Sequence, residues 1–546
     1  MTQVRRTSRR HFLGGAAVLG AGGALSGLGV KAVEAAGPVV SWEAVADVVV
    51  VGFGGAGAVT AIAAHDAGAE VLILEKQAED AHTPNTMMSG GLCHLATDPE
   101  AAASYFKAVA FGIGLPEAFG DPADAYPHYP EEFVEEIAQV WGEGVVNTAE
   151  YLRSLGEIQL LESMPNAAFP EFPGAEGYGT FSAAGRGVAV FEVMADAVRE
   201  REIQIMWGTP GKRLIMDAEG RVIGVVAERD GQEVNIKARR AVVLTTGGFE
   251  YDDELKEAFL PGWRWVFMGN PDNTGDGVRM AIGAGAALGH MYHSAARVVA
   301  GTPELVETIG TGMRIAVDQP GMLLVDNYGK RYINEVFTSV DPQRYQFYNE
   351  VIVYDISRLS YPRIPSWLIF DETVRQAGPL PSLFYGAHAV GLYEWSEDNS
   401  KEIEAGWILQ ADTLEELAAR IAEHPHNKSR MDAATLAATV TTFNEYSKAG
   451  EDPDFQRDPE TLGALETPPY YAIAMYPGGP NTEGGPIKNA KSQVINVHGE
   501  PIPRLYAVGE LGSLFAFAYQ GGGNIAELII FGQIAGQNAA AEPPLD

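Results

Sequence analysis

The sequence is nearly without cysteine: Cys93 is the only one in 546 residues. That excludes an intramolecular disulfide, a Cys-ligated iron–sulfur cluster and a C-x-x-C-H haem attachment. The chain therefore brings no thiolate-held electron relay of its own, and Cys93 reads as a small buried apolar residue. Basic residues are also scarce, 38 Lys and Arg against 72 Asp and Glu, for a formal net charge of −34. Such a balance argues against nucleic acid and anionic membrane surfaces as partners. Long hydrophobic runs are missing with one exception, the weakly apolar Gly14–Val30 stretch, at about 17 residues just short of a membrane span. It follows Ser8-Arg9-Arg10-His11-Phe12-Leu13 and precedes small residues around Val33-Glu34-Ala35-Ala36. This order predicts a twin-arginine export signal over residues 1–36, which places the mature chain in the periplasm or on the outer side of the cell envelope. No transmembrane span is expected in the mature chain.

What is present is concentrated first in residues 46–76. Val48–Val51 is a continuous apolar run, as in a strand buried on both faces. Gly52, Gly54 and Gly57 follow in the G-x-G-x-x-G register, then a small-residue helix to about Ala67, a second apolar strand Val71–Leu74, and Glu75. Gly52 permits the tight turn, Gly54 lets backbone approach a pyrophosphate, and Gly57 lets the helix pack close to the sheet. The open N-terminus of that helix favours a diphosphate. Glu75, 18 residues after Gly57, stands where an acid accepts the hydroxyl hydrogens of an adenosine ribose.

Further along, helical patterns are expected at Pro130–Leu155 and Val188–Arg201. Short β segments follow at 203–207, 213–216, 222–229 and 233–238, then a separate buried strand over Ala241–Thr245 ending in Thr246-Gly247-Gly248. Asn273–Gly277 forms a glycine-rich helix entrance. From residue 291 to 475 aromatics and prolines rise, with amphipathic helices at Thr413–Ile421 and Asp432–Tyr446, and this stretch reads as an inserted domain over a cofactor. The C-terminal part returns to the opening style, with a strand ending in Gly509-Glu510 and a glycine turn, Gly521–Gly523, opening a long apolar helix. The predicted fold is α/β with an α+β cap: a Rossmann-like dinucleotide-binding domain in two parts, 44–290 and 476–546, around a capping substrate domain at 291–475.

These residues together resemble the flavoprotein family that includes soluble fumarate reductases, succinate dehydrogenase flavoprotein subunits, urocanate reductase and the 3-ketosteroid dehydrogenases. The motifs that carry the resemblance are Gly52-x-Gly-x-x-Gly57, Glu75, Ser89-Gly-Gly91, Thr245–Phe249, Asn273–Gly277, Gly329–Glu335, Leu505–Glu510 and Gly522-Gly-Asn524. The resemblance implies FAD held by Gly52, Gly54, Gly55, Ala56 and Gly57, by Glu75 and Lys76, and by Asn85, Thr86, Ser89, Gly90 and Gly91. It also implies contacts from Thr246, Gly247, Asn273, Thr274, Asp276 and Gly277, and near the C-terminus from Glu510, Asn524 and Ile525. In the covalent branch a histidine precedes the Ser-Gly-Gly stretch at the position of Pro84, and His82 is two residues off, so non-covalent FAD is expected. No metal is expected.

The family's fumarate grips are not matched. Gln520 stands at one arginine position and Asn481 at a histidine position, and after Glu335 no arginine comes before Arg344. A carboxylate without cationic partners is poorly held. Resemblance to the ketosteroid branch is closer at Tyr519-Gln-Gly-Gly-Gly523, where a tyrosine and a backbone N–H four residues later hold the substrate carbonyl. Tyr519 and the Gly523 amide are thus expected to polarise an enone carbonyl, with Arg331, Tyr345 or Arg344 as proton donor. The expected activity is reduction or formation of a C=C bond conjugated to a carbonyl in a ketosteroid-like or other enone. The rival is a respiratory reductase of an unsaturated carboxylate such as fumarate, urocanate or acrylate. Either requires a separate electron-donor protein, a cytochrome or a flavoprotein.

Overall fold

Val48–Val51 lies inside a longer strand, Ala44–Val51, at the centre of an eight-stranded sheet. The computed structural model describes residues 41–117, 129–164, 166–341, 343–381 and 392–545. The predicted export signal lies outside them. The central strand pairs in parallel with Val71–Leu74 on one side and Gln232–Leu244 on the other. The parallel arrangement continues outward to Gln204–Met206 and Pro501–Ala507. The valines at 48–50 are fully buried, as strands covered by helices on both faces require.

Gln232–Leu244 is one strand of 13 residues, not the two segments expected. Arg239 and Arg240 do not interrupt it because both charges find partners. Arg239 Nε bonds Asp47 at 2.8 Å and Arg240 Nη1 bonds the Ala540 carbonyl at 2.9 Å. Its first half pairs antiparallel with Val222–Arg229 and its second half runs parallel to the central strand.

Two helices cover the same face of this sheet. The opening helix runs Gly55–Asp66 and the C-terminal helix Gly523–Ala541. They meet at contact distance: a Cβ added at Gly536 would stand 2.4 Å from the Thr60 carbonyl oxygen. The helix predicted as continuous over 130–155 is two, Glu131–Val145 and Thr148–Leu155.

The inserted domain is built on an antiparallel sheet in the order Ser294–Ala300, Tyr470–Thr482, Ser366–Asp371, Leu323–Val325, with Leu409–Ala411 also paired to the long central strand. Trp367, Tyr471, Tyr476 and Phe443 fill its core, so these aromatics of the 291–475 stretch are packing residues. The return strand does not end at the expected boundary of 475 but runs on to Thr482, carrying Asn481 back to the sheet domain. Val266 and Met268, from before residue 290, also pack in the cap's core. Among the described residues no helix is long and apolar enough to cross a membrane.

Candidate active site

The two parts of the sheet domain and the near edge of the cap enclose a single cavity. At one end stands Glu75. Its Oε2 accepts the Phe53 N–H at 2.7 Å and its Oε1 the Gln77 N–H at 2.8 Å, which fixes the carboxylate at the tip of the second strand. Burial holds its pKa above the usual carboxylate range. Lys76 locks the neighbouring loop: Nζ donates to the Asp272 carbonyl at 2.6 Å, Thr274 Oγ1 at 2.8 Å and Asp276 Oδ2 at 2.7 Å. His82 belongs to this same end, stacked on Phe53 with centroids 5.4 Å apart and its Nε2 3.8 Å from Glu75. Burial drives its pKa down to about 4, so it is neutral at pH 7.

The middle of the cavity is backbone and small side chains. Gly52 has φ +106, and a Cβ there would lie 2.6 Å from the Thr245 carbonyl oxygen. The opening helix has no side-chain cap and no acid in its first turn, which leaves its positive end to a ligand. Thr86 Oγ1 accepts the Gly55 N–H at 3.1 Å and ties the second cavity wall to that helix. Gly54, Gly55, Ala56, Asn85, Thr86, Ser89, Gly90 and Gly91 all line this stretch, as do Thr246, Gly247, Asn273 and Asp276. Beyond them come Glu510, Asn524 and Ile525.

Several wall atoms are polar, buried and without a hydrogen-bond partner: Thr246 Oγ1, Asn273 Nδ2 and Glu510 Oε1. Unpaired buried polar atoms are costly and uncommon, and here they belong to residues that line one elongated cavity. An open helix terminus, a fixed carboxylate at the far end and unpaired polar atoms between them fit FAD. They fit it non-covalently, because His82 stands beside Glu75, at the end expected for the ribose.

Not every expected contact lies on the wall. Gly57 and Gly277 act in packing instead: a Cβ on Gly57 would stand 2.0 Å from the Gly52 carbonyl oxygen, and one on Gly277 2.0 Å from Thr246 Oγ1. Thr274 acts through its bond to Lys76.

At the other end of the cavity are Tyr519, Tyr345 and Arg344. The Tyr519 and Tyr345 rings meet edge to face at 5.0 Å. Tyr519 Oη accepts the N–H of Asn524 at 3.5 Å, leaving its own hydrogen available to a ligand. Burial and then the nearby Glu483 carboxylate hold the phenol well above its ordinary pKa, so it is a neutral donor. Gly523 is not the second donor: its N–H is spent on the Gln520 carbonyl at 3.1 Å inside the turn.

Arg331 is absent from the site. Its guanidinium is held by Glu335 and Asp452, both at 2.8 Å, between the rings of Phe443 and Phe455 in the cap. Gln520 also turns away, its Oε1 accepting from Tyr105 Oη at 2.5 Å and Ala168 N–H at 3.2 Å. The shortage of cations expected at this end is not what the structure holds. Arg297 and Arg314, which the sequence reading passed over, line the cavity beside Arg344. A signal for the first was there: Arg297 is the one charged residue in the strand Ser-Ala-Ala-Arg-Val-Val-Ala over Ser294–Ala300, all of it buried.

Three glutamates, Glu510 on the wall and Glu250 and Glu483 behind it, are buried with no ion pair among the described residues. Glu250 Oε1 accepts from Thr482 Oγ1 at 2.8 Å, Glu483 Oε1 from Asn481 at 2.7 Å, and Glu510 Oε2 from Asn85 at 2.9 Å. Burial pushes Glu483 up to about 8; burial, and then the Glu250 charge, hold Glu510 well above the usual carboxylate range.

The fold is shared with solved flavoproteins. A 3-ketosteroid delta1-dehydrogenase from Sterolibacterium denitrificans superposes with a TM-score of 0.72 at 24% identity, over 91% of this chain and 99% of that one. Among curated proteins, 4-oxocyclohexanecarboxylate 2-dehydrogenase of Sinomonas cyclohexanicum is 29% identical over 91% of this chain and 93% of its own. Fumarate reductase (cytochrome) of Shewanella frigidimarina is 28% identical over 90% and 77%. These relatives make the chain an FAD-dependent oxidoreductase acting on carbon–carbon bonds. The family model described as "FAD binding domain" matches residues 47–525, and the chain belongs to that family.

Proposed function

We propose that the enzyme reduces, or in the reverse direction forms, a C=C bond conjugated to a carbonyl. The observation that carries this reading is the placement of Tyr519 on the cavity wall with its oxygen accepting from the Asn524 amide. A phenol whose oxygen already accepts one hydrogen bond is a strengthened donor. It polarises a carbonyl oxygen and stabilises the enolate that forms there. Bound FAD supplies the hydride exchange at the β carbon. The α carbon needs one proton, and Tyr345 is the group in reach of it, its ring against Tyr519 and its hydroxyl 3.2 Å from where a Cβ on Gly521 would stand. The Sinomonas relative, named for an oxo compound, supports a carbonyl substrate.

The remainder of the proposal rests on sequence. Residues 1–36 serve as a twin-arginine leader, and reducing equivalents come from a separate redox protein, since a lone cysteine gives this chain no relay. The deciding experiment is anaerobic. Reoxidation of reduced viologen by FAD-loaded enzyme is followed with cyclic enones, fumarate, acrylate and urocanate. Turnover of enones is expected; turnover of fumarate, acrylate and urocanate with none of any enone would overturn the reading.

A further inference from the structure

Glu483 is fully buried, and one of its oxygens is a junction. Oε1 accepts from Asn481 Nδ2 at 2.7 Å and from Asn524 Nδ2 at 3.3 Å. Both asparagines line the cavity. Ser513 Oγ holds the other end of the second amide, donating to Asn524 Oδ1 at 2.9 Å. The main chain of Glu483 is tied as well: its N–H donates to the His293 carbonyl at 3.1 Å and its carbonyl accepts from His290 Nε2 at 2.9 Å. The next residues admit no slack, since a Cβ on Gly485 would stand 2.4 Å from the Gly512 nitrogen. Glu483 Oε2, by contrast, is buried with no hydrogen-bond partner among the described residues. The carboxyl is fixed next to the cavity wall with one oxygen unspent.

What faces this carboxyl is acidic or neutral. Glu250 bears on it directly. After burial, the Glu483 charge is what most raises Tyr519 on the cavity wall, with Arg344 acting on Tyr519 in the opposite sense. The same charge bears on Glu510, after Glu250 does. Burial brings His290 down to about 4 and His293 to about 3, so neither offers a positive charge at pH 7. Lys488, which acts on His290, is taken by Glu527 at 2.5 Å. A buried carboxyl without a cation rests as the neutral acid, and here the proton comes off at about pH 8, within the range of ordinary buffers.

We infer that Glu483 is a positioning residue whose protonation is linked to the redox state of the flavin: as the acid it holds Asn481 and Asn524 in the cavity wall, and as the carboxylate it sets a buried negative charge beside the cofactor. Electrons arriving in the cavity add negative charge there, and in a dry interior such a charge acts strongly on a fixed neighbour. Two electrons pass from an external reductant to the cofactor, and one proton from solvent forms the O–H bond on Glu483. Linkage runs both ways. An ionised Glu483 makes reduction harder, and reduction makes Glu483 harder to ionise. Below about pH 8 the acid keeps its proton in either redox state, and nothing extra is taken up. Above it, one further proton accompanies each pair of electrons. Only bound FAD is needed for this linkage; the identity of the substrate does not enter it.

The test is an anaerobic redox titration of FAD-loaded wild type and Glu483→Gln, with flavin midpoint potentials read from absorbance against reference dyes between about pH 6 and pH 9.5. Below about pH 7 the two proteins should agree, because glutamine stands in for the protonated acid. Above about pH 8 the wild-type potential should fall more steeply, by one further tenfold in the two-electron equilibrium per pH unit, about 30 mV. Glu483→Gln should keep the shallower slope and end at the higher potential. A wild-type slope that does not steepen above pH 8 would overturn the inference. So would a steepening that survives in Glu483→Gln, which would assign the proton to Glu510 with Glu250. Where the variant fails to fold, proton uptake by the wild type decides. With viologen radical, which carries no proton, as reductant and an indicator dye in weak buffer, about one more proton per flavin is expected at pH 9 than at pH 7. Equal counts at the two pH values would overturn the linkage.

Discussion

At the level of single residues, Tyr519 and Gly523 were expected as a pair and the fold places them differently. Their spacing predicted a phenol and an amide aimed at one oxygen. The phenol is on the wall, but the Gly523 amide closes its own turn onto Gln520. The amide nearest the phenol is that of the next residue, Asn524. Tyr519→Phe should therefore lower kcat/KM on an enone by about 10²-fold or more with FAD binding unchanged, read by steady-state kinetics and flavin fluorescence. Arg331, which the sequence placed among the proton donors, should behave differently. Arg331→Met leaves the buried Asp452 carboxylate without its ion pair, while Glu335 keeps Arg457 at 3.1 Å, at a cost of about 3–5 kcal/mol. Its signature is a lowered denaturation midpoint, not an altered pH–rate profile.

Glu483 gives the residue scale a pH dependence. Its folded pKa, about 8, lies above the ordinary carboxylate value because the side chain is buried. The folded chain thus keeps a proton that the unfolded chain has already lost between about pH 4.5 and 8. Below that window the group has no effect on stability. Within it, stability falls as pH rises, by about 1.4 kcal/mol per pH unit, and above it the loss levels off. Glu483→Gln should flatten this part of the curve, as measured by urea unfolding at intervals from pH 5 to 9.

At the scale of elements, the opening strand–turn–helix–strand was legible because each part rests on local physics. Four valines with no polar partner must be buried, and a glycine is required where Gly52 touches Thr245. The two helices that begin at the cavity are also coupled locally. Gly536 lies against the Thr60 carbonyl and Gly532 against Val59. Gly536→Val should push the helices apart, costing about 1–3 kcal/mol and weakening FAD retention together with thermal stability. Cap boundaries were read less well. Composition changes near 291 and 475, but strand pairing runs Tyr470–Thr482 through the second of these points. Arg344 was among the residues expected at the site, but its grouping with the other arginines was not legible. Arg297 lies on the strand Ser294–Ala300, Arg314 outside any strand and Arg344 in the turn Gln343–Tyr345, and no local pattern records that the fold brings them to one cavity.

For the whole molecule, charge is the dominant property. A formal charge of −34 gives an attractive field for cationic donors well beyond contact distance. Enzyme reoxidation of the monocationic methyl viologen radical should be faster than that of the reduced form of a bis-sulfonated viologen of like potential, which carries a net negative charge. The gap should shrink as salt is raised from 10 to 500 mM, measured by stopped flow. Equal rates at low salt would place the electron entry on a locally neutral face.

The cavity's walls come from residues 51–92, 210–211, 245–276, 297–345, 480–481 and 508–528. That spread sets a timetable for synthesis. A ribosome that has reached residue 300 has made the glycine turn, Glu75 and the Lys76 latch, yet offers the cofactor only a trough. Tyr519 and the Gly521–Gly523 turn emerge among the last of the walls, so the flavin can be sealed in only after translation has passed them. A chain stalled earlier would leave without its prosthetic group.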